Sequence, residues 1–187
     1  MRRIQKLEES IIAHNLIEKF TYKGINDMPK LEKITVSTSL KGQGFQFKYL
    51  PSHLVGLSVI TGGKPRFTVA RKSNALLKVR EGMVSGTSVT LRNSLKLSFL
   101  DKLVNIVFPK IRDFDGFFVP YKIEGKSISI ILKDPMVFPE LNEEFEAFGS
   151  VGPIFISFKF ENASPLEMIT LAMEYGFPIK PTLRAKS

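Results

Sequence analysis

The chain contains no cysteine, no tryptophan and only two histidines. Without cysteine there is no disulfide, no thiolate metal site and no cysteine nucleophile, and the composition suits a reducing compartment. His14 and His53 stand alone, with no HExxH or paired spacing, so each is expected at the surface or at a helix cap rather than as a metal ligand or base. No apolar run is long enough to span a bilayer, and Met1-Arg2-Arg3-Ile4-Gln5-Lys6 lacks the apolar core of a secretory signal. A soluble protein with no membrane partner is therefore expected. Acid is scarce as well: 18 Asp and Glu face 27 Lys and Arg, a formal charge of +9. No Pro/Ser/Gly-rich linker and no fixed-period repeat divides the 187 residues. A single domain is expected, with an N-terminal helix over 1–24, an α+β sandwich over 25–180 and a tail over 181–187.

What is present is a chain 43% hydrophobic, enough to build a core, with sixteen Phe and frequent Ile, Lys and Asn, a bias of the kind an AT-rich genome favours. Its positive charge is concentrated. Between Lys64 and Arg92 lie Lys64, Arg66, Arg71, Lys72, Lys78, Arg80 and Arg92 against one acid, Glu81. The segment reads as two strands, Arg66 to Lys72 and Thr87 to Arg92, joined by a long polar loop with little apolar material to anchor it. Neutralisation of phosphates by Lys and Arg, with release of counterions, is the main sequence-independent source of nucleic-acid affinity, so RNA or DNA is the first partner to consider. The bland counterpart is a solvated hairpin tip.

Residues 4–20 place Ile4, Leu7, Ile11, Ile12, Leu16 and Phe20 at helical spacing. Leu31 to Thr38 then alternates Ile34, Val36 and Thr38 with Lys33, Thr35 and Ser37, a strand with one apolar face and one basic, hydroxylic face. A helix is predicted over about 50–61, with Pro51 in its first turn, Leu50, Leu54, Leu57 and Ile60 or Thr61 inside, and Gly62-Gly63 stopping it. Asn93 or Ser94 is the expected cap of a third helix burying Leu100, Leu103, Val104 and Val107. Ser127 to Leu132 and Ile154 to Phe160 read as half-buried strands. Ser164, Pro165 and Glu167 form a capping box for a last helix. The order α-β-α-β-β-α-β-β-α predicts an α+β fold: an antiparallel sheet with helices packed on one face, the other free for a partner, and a long basic β-hairpin loop.

The search for catalytic groups is nearly empty, and no cofactor is expected. Thr61-Gly62-Gly63-Lys64-Pro65 fails the phosphate-loop pattern because Pro65 holds the Ser/Thr position, and Gly42-Gln43-Gly44 reads as a turn. Glu140, Glu143, Glu144 and Glu146 form a solvated acidic patch suited to a basic protein rather than an acid/base pair.

Leu57-Ser-Val-Ile-Thr-Gly-Gly-Lys-Pro-Arg-Phe-Thr-Val-Ala-Arg-Lys-Ser73 closely resembles the signature of the universal large-subunit ribosomal protein five family, the 5S-rRNA-binding proteins of bacterial and organellar ribosomes. Met28 to Thr35, Lys78 to Gly82, Gly86 to Arg92, Val107 to Gly116 and Phe138-Pro-Glu140 are similar to further blocks of that family, in order and with similar spacing. The resemblance implies that family's sandwich and a structural role in the central protuberance, not catalysis. Its implied partners are large-subunit rRNA, 5S rRNA where present, P-site tRNA, a small-subunit head protein and neighbouring central-protuberance proteins.

Carried onto this chain, the resemblance implies rRNA binding by Lys33, Thr35, Ser37, Thr38, Lys64, Arg66, Thr90 and Arg92. It implies a tRNA- and rRNA-facing loop of Arg71, Lys72, Ser73, Asn74, Lys78, Arg80, Ser85 and Gly86. An intersubunit bridge would use Arg112, Asp113, Phe114 and Asp115, with Glu143 and Glu144 in the acidic stretch from Asp134 to Glu146. Hydroxyls and guanidinium groups on one face bond phosphate and ribose oxygens without reading sequence, which suits folded RNA.

The chain departs from many relatives at Ser37-Thr38-Ser39, at Gly63 and Arg66, and at Gly149 to Ile154, where an Arg-Gly-x-Asp is absent. Divergence at RNA-facing positions favours an organellar ribosome. The absence of a transit peptide before the first helix, with acids Glu8 and Glu9, favours encoding inside the organelle, with mitochondrion preferred and bacterial cytoplasm or plastid as alternatives. Two other functions compete: a free RNA-binding regulator or ribosome assembly factor, and an RNA-modifying enzyme, which would need a catalytic set that the sequence lacks.

Overall fold

A computed structural model describes residues 8–22, 24–40, 47–76, 79–112, 116–118 and 126–180. The strands are β1 (Lys30–Ser39), β2 (Arg66–Val69), β3 (Val84–Leu91), β4 (Phe117–Phe118), β5 (Ser127–Leu132), β6 (Ile154–Glu161) and β7 (Ile179–Lys180). The alternating segments of the sequence become one five-stranded antiparallel sheet in the order β2-β3-β1-β6-β5. Along β5 and β6 every second side chain is buried, Ile128, Ile130 and Leu132 on one and Ile154, Ile156, Phe158 and Phe160 on the other. That is the period-two pattern of a sheet with one wet face. The helices are α1 (Ala13–Lys19), α2 (Leu50–Thr61), α3 (Asn93–Lys102), α4 (Pro139–Glu143), α5 (Phe145–Phe148) and α6 (Pro165–Glu174). The chain divides into two compact units, one of Met1–Lys33, Arg92–Ile128 and Phe158–Ser187, the other of Ile34–Leu91 and Ser129–Ser157.

The first unit is helical. A π-helical turn, Glu8–Ile12, leads into α1, and the two bury Ile12 and Leu16. Of the predicted stripe, Ile4 and Leu7 lie outside the described residues, and Ile11 is exposed. α3 continues through a π-helical turn, Leu103–Val107, into a last turn, Phe108–Lys110. Together they bury Phe99, Leu100, Leu103, Val107 and Phe108, while Val104 is only half-buried. Neither Asn93 nor Ser94 caps α3. The cap position is Arg92, in extended conformation and without a side-chain bond, and Asn93 has φ 49°, a left-handed conformation that Asn tolerates. Lys96 Nζ donates to the Leu31 carbonyl at 2.5 Å and ties α3 to the start of β1.

The last helix, α6, starts as its sequence predicts: Ser164 Oγ accepts from Glu167 N–H, and Glu167 Oε2 accepts from Ser164 N–H at 2.7 Å. Glu174 holds α6 to α1, taking Lys19 Nζ at 2.8 Å and Asn15 Nδ2 at 2.7 Å. Lys19 first, then Asn15, holds that carboxyl below the usual range. The short strands β4 and β7 pair in parallel. Two residues are too few to show a periodicity, so neither strand was foreseeable from the pattern.

The second unit is built around α2, which starts with Pro51 in its first turn and stops at Gly62, φ 64°. Its buried residues are His53, Gly56, Leu57, Ile60 and Thr61, whereas Leu50 and Leu54 are only half-buried. The predicted single stripe is too simple because α2 packs on two sides, against β3 and against the pair α4 and α5. At Gly56 a Cβ would lie 3.3 Å from Val151 Cγ2 and 3.5 Å from Leu141 Cδ2, so a glycine there permits the second contact. The acidic stretch read as plain surface thus carries a core of its own in Phe138, Leu141 and Phe148.

Candidate nucleic-acid interface

Residues directly opposite in an antiparallel pair share a face of the sheet. In the second unit Thr35 opposes Thr90, Ser37 opposes Ser88 and Ser39 opposes Gly86, while Arg66 opposes Ser88 and Thr68 opposes Gly86. One face therefore carries Thr35, Ser37, Ser88, Thr90, Thr68 and Arg66, hydroxyls on three adjacent strands spaced about 4.8 Å apart with a guanidinium at the edge. The other face carries Ile34, Val36, Val89 and Leu91, all buried. This separation is what the alternation in the sequence predicts. Lys64, just before β2, is exposed.

Thr38 does not belong to that face. It is buried on the apolar side, where its Oγ1 lies 3.1 Å from His53 Nδ1. It follows Val36 in the alternation, so the pleat points it inward. His53 is correspondingly neither a surface nor a capping residue: it is fully buried, and its Nε2 is 3.1 Å from the Ser150 carbonyl. A carbonyl only accepts, so Nε2 carries the proton and Nδ1 accepts from the Thr38 hydroxyl. Burial holds the His53 pKa below its ordinary value, with the Ser150 contact working the other way.

In the first unit Lys33 is half-buried and Arg92 exposed. Glu32 lies 3.8 Å from Lys33 Nζ and 2.8 Å from Lys159 Nζ. Its hydrogen bond from Lys159 chiefly lowers its pKa, with smaller help from Lys33 and Arg92.

The loop between β2 and β3 is more ordered than its composition predicts. β2 ends at Val69 and β3 begins at Val84, not at Lys72 and Thr87, and the intervening turns close on themselves. Ala70 N–H bonds Met83 O at 2.9 Å, Gly82 N–H bonds Ala70 O at 3.0 Å, and Asn74 and Val79 exchange bonds of 2.8 and 3.1 Å. Val79, 8% exposed, packs with Leu40 in a small core that Tyr49, Leu50, Ala70 and Met83 flank. The loop thus has an apolar anchor, contrary to the expectation from its composition. Of the predicted loop residues, Ser73 Oγ accepts from Glu81 N–H at 3.0 Å, and Ser85 Oγ donates to Thr68 O at 3.1 Å. At Gly86 a Cβ would run into the Thr38 carbonyl oxygen, so this glycine is required by the close approach of β3 to β1. Asn74, Ser73, Ser85 and Gly86 shape the loop, whereas Arg71, Lys72 and Arg80 project from it, all exposed. Lys78 lies outside the described residues.

Among the described residues, no ion pair engages Lys64, Arg66, Arg71, Lys72 or Arg80, while Lys19, Lys33 and Lys159 each meet a carboxylate. The loop and the edge beside it are a field of like charge without an internal counterion, as a polyanion site requires. The described residues hold no group of three or more His, Asp or Glu placed for a metal.

The family model for the C-terminus of the ribosomal protein uL5 family matches residues 84–179. A large ribosomal subunit protein uL5 from Synechocystis is 41% identical over 142 residues, 75% of this chain and 78% of the relative. A uL5m of Reclinomonas americana is 40% identical over 153 residues, 81% of this chain and 83% of the relative. A third, uL5 of Picosynechococcus, is 33% identical over 180 residues, 96% of this chain and 98% of the relative. The chain belongs to the uL5 family.

The other uL5 surface expected from the sequence is the intersubunit one. Arg112 is exposed shortly after the last turn that continues α3, in the first unit, while Asp113, Phe114 and Asp115 lie outside the described residues. Glu143 and Glu144 are exposed in the second unit, at the end of α4. Asp134 Oδ1 accepts from Met136 N–H at 2.9 Å and so serves the turn that opens this segment.

Proposed function

We propose that this chain holds rRNA, 5S rRNA and the large-subunit rRNA beside it, against the hydroxyl face of β1, β2 and β3, and reaches P-site tRNA with the loop at 70–83. As a uL5-family protein it is a structural ribosomal protein and not an enzyme. The observation that carries the finer reading is the pairing of a hydroxyl face with five exposed cations, Lys64, Arg66, Arg71, Lys72 and Arg80, that have no partner carboxylate among the described residues. Hydroxyls bond ribose and phosphate oxygens, and cations release counterions; neither needs a base sequence, so folded RNA is recognised by shape. Arg112 to Asp115, with Glu143 and Glu144, we assign to a contact with a small-subunit head protein. The compartment we propose is the mitochondrion, in keeping with the Reclinomonas americana uL5m relative and the divergence at Ser37-Thr38-Ser39.

The test is salt dependence. Replacing Arg71, Lys72 and Arg80 with Ala should weaken binding to large-subunit rRNA fragments and flatten the log–log salt slope by roughly 0.7 to 0.9 for each lost phosphate contact. An unchanged slope removes the loop from the RNA interface.

A further inference from the structure

Phe67 and Val69 do not lie on the hydroxyl face. Phe67 opposes Thr87, which is fully buried on the apolar side, yet Phe67 is 54% exposed and Val69 56%. The reason is position: β2 is the outermost strand of the sheet, so its inward-facing side chains overhang the core. An exposed Phe is costly in water, and this one is set among Lys64, Arg66, Arg71 and Lys72, all exposed and without an ion-pair partner among the described residues. An aromatic ring surrounded by unneutralised cations is complementary to one ligand chemistry in particular: a nucleobase with its flanking phosphates. A protein helix or strand would bring an apolar face but leave these charges unmet.

We propose that Phe67 is a stacking platform for an unpaired RNA base, with Val69 extending the apolar shelf and Lys64, Arg66, Arg71 and Lys72 taking the adjoining phosphates. The RNA surface then wraps around the β2 edge of the sheet and includes both of its faces. This rests on the RNA-binding reading above and deepens it: that reading needs only charge and hydroxyls, whereas stacking requires a nucleotide that is not in a helix.

The absence of tryptophan from the chain makes the test direct, because Phe67→Trp introduces the only indole. Its fluorescence should be strongly quenched by a hairpin RNA with an unpaired loop, and little by a perfect duplex of equal length. Phe145→Trp, on the acidic segment of the same unit, should report no quenching with either RNA. In filter binding, Phe67→Leu keeps the apolar bulk and should lose roughly 5- to 150-fold affinity for the looped RNA, the factor for one stacked base. The salt slope should not change, since no phosphate contact is lost. Salt-dependent binding by the wild-type chain with no quenching of the Phe67→Trp variant, or full affinity in Phe67→Leu, overturns the stacking and leaves Phe67 to a protein neighbour. Failure of the wild-type chain to bind either RNA instead overturns the RNA-binding reading itself.

Discussion

Replacing His53 with Ala removes a side chain that is fully buried and bonded at both ends, to Thr38 Oγ1 and to the Ser150 carbonyl, each at 3.1 Å. An aromatic-sized cavity in a core costs about 3–5 kcal/mol, within which fall the buried hydrogen bonds that are lost. In a chain of this length that corresponds to a melting temperature lower by roughly 6–20 °C. The pH dependence is a sharper signature. Burial depresses the folded-state pKa of His53, so the unfolded chain takes up a proton first as the pH falls. The stability associated with neutral His53 is complete above the unfolded value of about 6.5 and is lost as the pH drops from there toward the folded pKa, at about 1.4 kcal/mol per pH unit. His53→Gln retains a donor and an acceptor but cannot titrate, so its stability should decline less steeply below that pH than the wild type. Urea unfolding of wild type, His53→Ala and His53→Gln at pH values from about 5 to 8 measures all three. A His53→Ala variant as stable as wild type, or a Gln variant with the wild-type acid slope, refutes the reasoning.

Gly86→Ala should destabilise by about 1–3 kcal/mol, because its Cβ meets the Thr38 carbonyl across the β1–β3 pair; chemical denaturation against wild type measures it. Ser164→Ala breaks the capping box of α6 and should cost about 1 kcal/mol, with the helix otherwise retained by circular dichroism. Because Arg71, Lys72 and Arg80 are exposed, their triple replacement should alter RNA binding while leaving thermal stability within about 0.5 kcal/mol per site. A larger loss shows that these residues belong to the fold.

What the sequence made legible follows from locality. β5 runs over the predicted Ser127–Leu132, and α6 starts at the predicted cap, because alternation and a capping box are written within a few residues. The outer face of β1 was equally clear at Thr35 and Ser37, since a strand period fixes which side each residue takes. Thr38 and His53 were misread for one reason. Their partners, Ser150 and Gly152, lie about a hundred residues away in the chain, and a polar residue whose bonds are distant looks like surface. The loop failed differently: its closure depends on Val79 meeting Leu40, so one valine among many cations carried an anchor that composition conceals. Phe67 was legible as a strand residue but not as an exposed one, because exposure came from the edge position of β2, which is a property of sheet order.

The central claim is that this uL5-family protein works in the large ribosomal subunit on rRNA at the central protuberance. Sucrose-gradient fractionation of native organelle lysate, with sequencing of the RNA cross-linked to the protein, tests it most directly. The account predicts co-sedimentation with the large subunit and cross-links to 5S rRNA or neighbouring large-subunit rRNA helices. Sedimentation at the top of the gradient, with cross-links to unrelated RNAs, contradicts it and puts a free RNA-binding regulator in its place.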